Sequence, residues 1–195
     1  MYKWILLIWN IEQLPIEWTQ GIICPIHKKG DRATRSNYRP ITLLNIAYRI
    51  FTILLNNRLS KIVESKLSEA QVGFRLNRST LDNIFIICQT FEKCHEYNID
   101  LHNIFVDYLQ AFDSINRNKV TESLNEYNIA SKLIKLIVLT LLGTSAIAKL
   151  NNEFTGKSEV QTGAKQEDPL SAALFSIATD CILKQMELRG NISTR

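Results

Sequence analysis

Phe105-Val106-Asp107-Tyr108-Leu109-Gln110-Ala111-Phe112-Asp113-Ser114-Ile115 is the stretch around which this 195-residue chain is organised. The apolar run Ile104 to Val106 reads as a buried strand that delivers a carboxylate, Asp107, at its end. Four residues later Ala111-Phe112-Asp113 sets a small residue, an aromatic ring and a second acid side by side. Mg²⁺ at phosphoryl-transfer sites is held by one or two carboxylates together with phosphate oxygens and waters. Asp107 is therefore a candidate Mg²⁺ ligand beside nucleotide phosphates, and Phe112 a candidate floor under the sugar. An Asp that closes a strand more often forms a turn or caps a helix, so the flanking segments must decide.

Working outward, the length suits one domain with a real core, or one domain and part of another. A 46% hydrophobic content with 22% charge is that of a globular protein and argues against disorder. The net charge of +4 does not by itself point to nucleic acid, but its distribution is uneven. Lys28, Lys29, Arg32, Arg35 and Arg39 fall within a dozen residues against Asp31 alone, which suits a phosphate-bearing ligand and equally a solvated loop. Cys24, Cys88, Cys94 and Cys181 make no CxxC pair and read as small hydrophobes of a reducing compartment. His95 and His102 carry no metal spacing. The apolar run Trp4 to Trp9 is too short for a signal core or a membrane span, so a soluble, intracellular protein with no membrane partner is expected.

Along the chain, residues 1–13 predict a short amphipathic helix and Trp18 to Ile26 a strand. A basic loop runs from His27 to Arg39. After Pro40, helical spacing from Leu43 through Ile46, Ile50 and Leu54 to Val63 predicts a long helix, with Tyr48 and Phe51 as packing. Ser79 and Asp82 form a capping box ahead of a helix whose buried stripe is Ile84, Ile87, Cys88 and Phe91. Further helices are predicted over about 117–127 and 130–142, the latter stopped by Gly143. A strand over 145–150, a turn at Asn151-Asn152, a second strand through Val160, a polar loop over 163–169 and a last helix over 170–188 complete a mixed α and β pattern.

Four stretches in order give the chain a family resemblance. They are Leu14-Pro15 with Trp18 and Ile26 to Asp31, continued by Asn37-Tyr38-Arg39-Pro40-Ile41; Gln71-Val72-Gly73-Phe74-Arg75 with Arg78-Ser79-Thr80; the opening stretch; and Gly163 to Ser171 with Leu174-Phe175. Together they resemble a reverse transcriptase of the non-long-terminal-repeat (LINE-type) retrotransposon class over nearly the whole chain. The resemblance implies an α+β fold, the fingers (about 1–100) and partial palm (about 101–195) of a right-hand polymerase, mostly helical with a small, mainly antiparallel sheet. It implies RNA-directed DNA polymerase activity in the intact relative, with an RNA template, a DNA primer, deoxynucleoside triphosphates and Mg²⁺. Lys28, Lys29 and Arg39 resemble the residues that grip the triphosphate. Asp107 resembles the first metal-binding aspartate and Tyr108 its neighbour. Phe112 resembles the aromatic gate against a ribose 2′-hydroxyl, and Gln166 the residue that meets nucleotide and template. Gly73, Phe74, Arg75 and Arg78 resemble template contacts. Asp113 reads as fixing local structure.

The resemblance also marks departures. No Tyr/Phe-Ala-Asp-Asp stretch occurs in the sequence, so the second carboxylate source of a two-metal site is missing. The chain is expected to stop, at Asn191 to Arg195, just before the strand that would carry it, without thumb or upstream endonuclease. Glu167 stands where the family has Gly, and Ala172 where it has Pro. A chain of this kind is expected to be inactive, or nearly so, as a polymerase. The rival expectation is a non-catalytic RNA- or DNA-binding remnant.

Overall fold

The computed structural model describes residues 2–151 and 153–188. Asn191 to Arg195, read above as the approach to a further strand, lie outside the described residues. Among the described residues there are seven α-helices and one small sheet. Helices α1 (Tyr2–Ile11) and α2 (Ile16–Thr19) lead into strand β1 (Gln20–His27), followed by β2 (Tyr38–Leu43) and the long α3 (Ile46–Val63). Then come α4 (Thr80–Glu96), α5 (Arg117–Glu126), α6 (Ser131–Leu141), β3 (Ser145–Leu150), the short β4 (Glu153–Phe154) and β5 (Ser158–Glu159), and α7 (Pro169–Leu188).

The main path of the sheet runs β2-β1-β3-β4, and β5 also pairs with β3. It is mainly antiparallel, with one parallel pair in which Gln20 to Ile23 of β1 run alongside Ser145 to Ala148 of β3. Pro40 lies in β2, an edge strand, opposite Pro25 of β1. Two residues with no N–H thus share one ladder position, and the lost donors coincide. This strand replaces the start of the helix predicted after Pro40: the apolar periodicity that signals α3 begins at Leu43 and overlaps the strand's end.

The core lies where α3, α5, α6 and α7 meet. Tyr48, Phe51, Leu55 and Leu59 of α3 pack with Val120 and Leu124 of α5, Leu136 and Ile137 of α6, and Leu170, Leu174 and Ile177 of α7. Trp18 of α2 sets its ring against Tyr48 and Phe51, with centroids 6.3 and 6.0 Å away, and so joins the sheet to this bundle. Burying side chains of this size contributes roughly 1.5–3 kcal/mol each. On the outer side of the bundle, Glu12 pairs with Lys132 and Lys135 of α6, and the Arg58 guanidinium lies 4.2 Å above the Trp9 ring.

Two expectations are corrected. The strand that was to end at Asp107 does not form: residues 101–107 have no regular structure, and Ile104, Phe105 and Val106 are 89%, 80% and 75% exposed. A strand needs a neighbour for its N–H and C=O groups, and β1 and β3 pair directly with each other, leaving it no slot between them. Helix α4 forms with its capping box, Ser79 Oγ accepting from Leu81 N–H and Asp82 accepting from Ser79 N–H. Its predicted buried stripe of Ile84, Ile87, Cys88 and Phe91 is not buried; none of its residues is. The cap and the apolar period specify a helix, but burial needs a partner surface, and among the described residues none covers this face.

Asp180 of α7 is the polar knot on the far side of the core. It is 1% exposed and accepts hydrogen bonds from Tyr127 Oη, from Ser68 N–H at 3.0 Å and from Lys184 Nζ at 2.7 Å. Burial alone would raise its pKa, but Lys184, Tyr127 and the Ser68 amide outweigh it and hold the carboxyl below its ordinary value. A carboxyl depressed in the folded state adds stability above its unfolded pKa, and that contribution is lost as pH falls through the folded value. Asp180→Ala is expected to cost about 2–3 kcal/mol at pH 7, because three donors lose their acceptor. The deficit should shrink below about pH 4, where the unfolded carboxyl protonates. Urea unfolding at the two pH values tests this; an equal deficit at both would contradict it.

Candidate nucleotide-binding cleft

The turn at Gln110 to Ser114 presents the central aromatic. Gln110 has φ +55°, and its carbonyl accepts from both Asp113 N–H and Ser114 N–H at 3.0 Å. This tight turn directs Phe112 inward, half-buried between Phe74 (centroids 6.2 Å apart) and Phe175 of α7 (5.5 Å). Edge and tilted contacts of this kind add roughly 0.5–1.5 kcal/mol each beyond burial and fix the ring's attitude.

The loop before α7 is laid directly on that turn. Gly163 N–H donates to Ile115 O and Ala164 N–H to Phe112 O, both at 2.9 Å. Only glycine permits this approach: at φ +78°, a Cβ on Gly163 would lie 2.7 Å from Asp113 O. Gln166 Nε2 then donates to the two Asp113 carboxylate oxygens at 3.2 and 3.0 Å. Asp168 caps α7, accepting from Leu170 N–H at 3.0 Å with Pro169 at the first helical position, and accepts the Tyr48 hydroxyl at 2.7 Å.

Lys165 occupies an unusual place between these elements. Its ammonium lies 4.2 Å over the Tyr48 ring and donates to Trp18 O at 3.4 Å. Burial pulls its pKa down to about 8, with Asp168 acting in the opposite direction. At neutral pH it is a largely desolvated cation, its cost offset by the Asp168 carboxylate and the Tyr48 ring face.

The third wall comes from the sheet edge. The basic loop is an ordered hairpin connection: Lys28 N–H donates to Asn37 O at 2.8 Å, Asn37 Nδ2 to Asp31 O at 2.8 Å, and Tyr38 Oη to Arg32 O at 2.9 Å. It brings Lys28 and Arg39 to a cleft of about 440 Å³ whose other walls include Phe74, Phe112, Asp113, Lys165 and Gln166.

The structure thus gathers Lys28, Arg39, Phe112, Gln166 and Phe74 around one cleft. Lys29, Tyr108 and Asp107 are exposed and do not line it; Tyr108 sets its ring against Phe175 at 5.6 Å. Arg75, expected at a template, is turned inward with its side chain 4% exposed, bonded to Glu64, Ser68 O and Gln71 O. A guanidinium with its donors so engaged braces the 64–75 loop and has little left for a phosphate. Arg78 pairs with Glu69 at 2.5 Å, and Gly73 needs no special φ. Asp107 stands on the unpaired segment, and no group of three His, Cys, Asp or Glu side chains comes together among the described residues. One exposed carboxylate does not fit the pair of Mg²⁺ ions that the resemblance implies. Sequence reasoning gave no role to Lys165, Arg117 or Asp168; the Asp-Pro start of a helix was the available signal for the last.

Glu167 has φ +75°, a backbone region that costs a side-chain-bearing residue of order 1 kcal/mol or more. It also places a carboxylate in the lining beside Lys28 and Arg39. Glu167→Gly is expected to gain about 0.5–1 kcal/mol in urea unfolding, the strain relief exceeding the added unfolded-state entropy. A loss of stability would contradict the strain reading.

Residues 26–194 match the family model described as reverse transcriptase (RNA-dependent DNA polymerase). The Transposon TX1 uncharacterized 149 kDa protein of Xenopus laevis is 23% identical over 89% of the chain. The retrovirus-related Pol polyprotein from type-1 retrotransposable element R2 of Popillia japonica is 27% identical over 89%. The probable RNA-directed DNA polymerase from transposon BS of Drosophila melanogaster is 24% identical over 90%. The chain spans only 14%, 24% and 20% of the lengths of these three relatives.

Proposed function

We propose that this chain, which belongs to the reverse transcriptase family of retrotransposon polymerases, binds a deoxynucleoside triphosphate in the cleft between β2, the Phe112 turn and the Gln166 loop. The observation that carries this reading is the pairing of chemistries in one cleft. Cations Lys28, Arg39 and desolvated Lys165 meet an aromatic floor, Phe112, braced on both sides. Phosphates suit the cations, with Arg39 able to offer a two-pronged donor, and a sugar suits the ring face. Phe112 acts as the gate against a 2′-hydroxyl by steric conflict. Gln166, its amide nitrogen engaged by Asp113, turns a carbonyl acceptor toward the bound nucleotide.

The intact relative adds deoxynucleotides to a DNA primer on an RNA template, and this chain by itself does not. The sequence has no Tyr/Phe-Ala-Asp-Asp stretch, and among the described residues no group of three His, Cys, Asp or Glu side chains comes together at Asp107 or elsewhere. The exposed cations Lys29, Arg32 and Arg35 outside the cleft favour a second reading alongside it, a salt-sensitive contact with template backbone phosphates. Phe74 is the member of the expected template set that remains at the cleft.

Equilibrium binding of dTTP and primer extension on an RNA template, each with Mg²⁺, test the reading together. Binding is expected, weakened about five- to tenfold (~1–1.4 kcal/mol) by Lys28→Ala or Arg39→Ala, with no extension. Absence of nucleotide binding would overturn the cleft assignment. Extension that disappears in Asp107→Ala would overturn the claim of inactivity.

A further inference from the structure

Arg117 is the first residue of α5, yet its guanidinium turns back from the helix into the loop that precedes α7. Nε donates to Gly163 O at 2.9 Å, Nη1 to Val160 O at 2.7 Å, and Nη2 to Thr144 Oγ1 at 3.0 Å and Thr162 O at 3.2 Å. Three of these acceptors are main-chain carbonyls of one short loop. Among the described residues no carboxylate pairs with it. A half-buried cation without a counter-ion is costly, and burial depresses its pKa. The return is geometric: a rigid planar fork can collect diverging carbonyls that a lysine ammonium cannot.

The same loop is tied to the chain just ahead of α5 by Gly163 N–H to Ile115 O and Ala164 N–H to Phe112 O. Residues 112–117 and 160–166 therefore form a closed circuit. Arg117 closes its backbone side, and the Asp113 carboxylate, which accepts the Gln166 amide, closes its side-chain side. That amide contact also fixes polarity. With Nε2 held on a carboxylate, Oε1 must point away from Asp113 as an acceptor.

We infer that Arg117 and Asp113 are positioning residues: Arg117 sets the backbone of the Gln166 loop against the Phe112 turn, and Asp113 sets the orientation of the Gln166 amide. Arg117 lies off the cleft lining, and Asp113, which lines it, acts through the Gln166 amide that its carboxylate holds. The inference rests on the proposed reading in taking Gln166 to face the nucleotide, and the experiment separates the two.

Hydrogen exchange by mass spectrometry on peptides spanning 160–166, and dTTP binding, are measured on the full chain as wild type, Arg117→Ala, Arg117→Lys, Asp113→Ala, Gln166→Ala and the Arg117→Ala/Gln166→Ala and Asp113→Ala/Gln166→Ala double variants. Both Arg117 variants should unfold cooperatively and exchange about tenfold faster at Gly163 and Ala164. Arg117→Ala and Asp113→Ala should each weaken dTTP by the factor seen for Gln166→Ala. Each double variant should bind no more weakly than Gln166→Ala alone, because there is then no amide left to position. A general packing defect would instead multiply with Gln166→Ala. Unchanged exchange in Arg117→Lys, or in Arg117→Ala if it folds, overturns the Arg117 arm, and multiplicative binding losses overturn the positioning role. If the wild type binds no dTTP, the proposed function fails, and the positioning inference, which needs a nucleotide for Gln166 to face, fails with it. If dTTP binds and only the variant pattern departs, the inference fails alone.

Discussion

A single buried hydrogen bond, Tyr48 Oη to Asp168 Oδ2, fixes where the cleft can be. Tyr48 sits near the start of α3 and Asp168 at the start of α7, 120 residues later. The same carboxylate caps α7, so the bond pins a helix origin, not merely a side chain, to the core. A charge-assisted bond of this kind contributes roughly 1.5–3 kcal/mol, and its loss would leave a buried acid poorly satisfied. Everything on the loop 163–168 inherits its position from this point. Trp18, packed on the Tyr48 ring, carries the constraint on to the sheet that supplies Lys28 and Arg39.

The cleft is assembled from four segments far apart in sequence: the β1–β2 connection, the loop at Phe74, the Phe112 turn and the Gln166 loop. Each is held by its own local device. The basic loop closes through Asn37 and Tyr38, the turn through Gln110, and the loop before α7 through Arg117 and Gly163. Ligand-holding features thus depend on the packed half of the molecule. The carboxylate read as the metal ligand, Asp107, lies on a segment with no partner strand. On the proposed reading, nucleotide binding and phosphoryl transfer are physically separable: the first rests on the pinned walls, the second on Asp107 brought beside further acids.

Much of this was legible in the sequence, and the rest was not for identifiable reasons. Helix boundaries marked by Gly143 and the Ser79–Asp82 box are local events, and each appears where the cap chemistry puts it. The motif order that identifies the family also located five of the cleft residues, Lys28, Arg39, Phe74, Phe112 and Gln166. Burial was misread where it depends on a partner that local pattern cannot reveal: the α4 stripe and the run 104–106 are apolar enough for a core but are exposed. Strand β2 was hidden because Pro40 reads as a helix start, whereas an edge strand tolerates it. Arg75 and Arg117 show the hardest limit. A guanidinium looks the same in sequence whether it meets a nucleic-acid phosphate or, as here, a set of main-chain carbonyls.

The central claim is that the chain holds a nucleotide at one cleft without completing catalysis. Photocrosslinking with 4-thio-dTTP, mapped by peptide mass spectrometry, tests it most directly. The account predicts adducts confined to residues lining the cleft, at 28, 38–41, 74, 110–113, 165–168 and 171–172, and competed away by excess dTTP. Adducts on the exposed face of α4, or labelling that excess dTTP leaves unchanged, would contradict it.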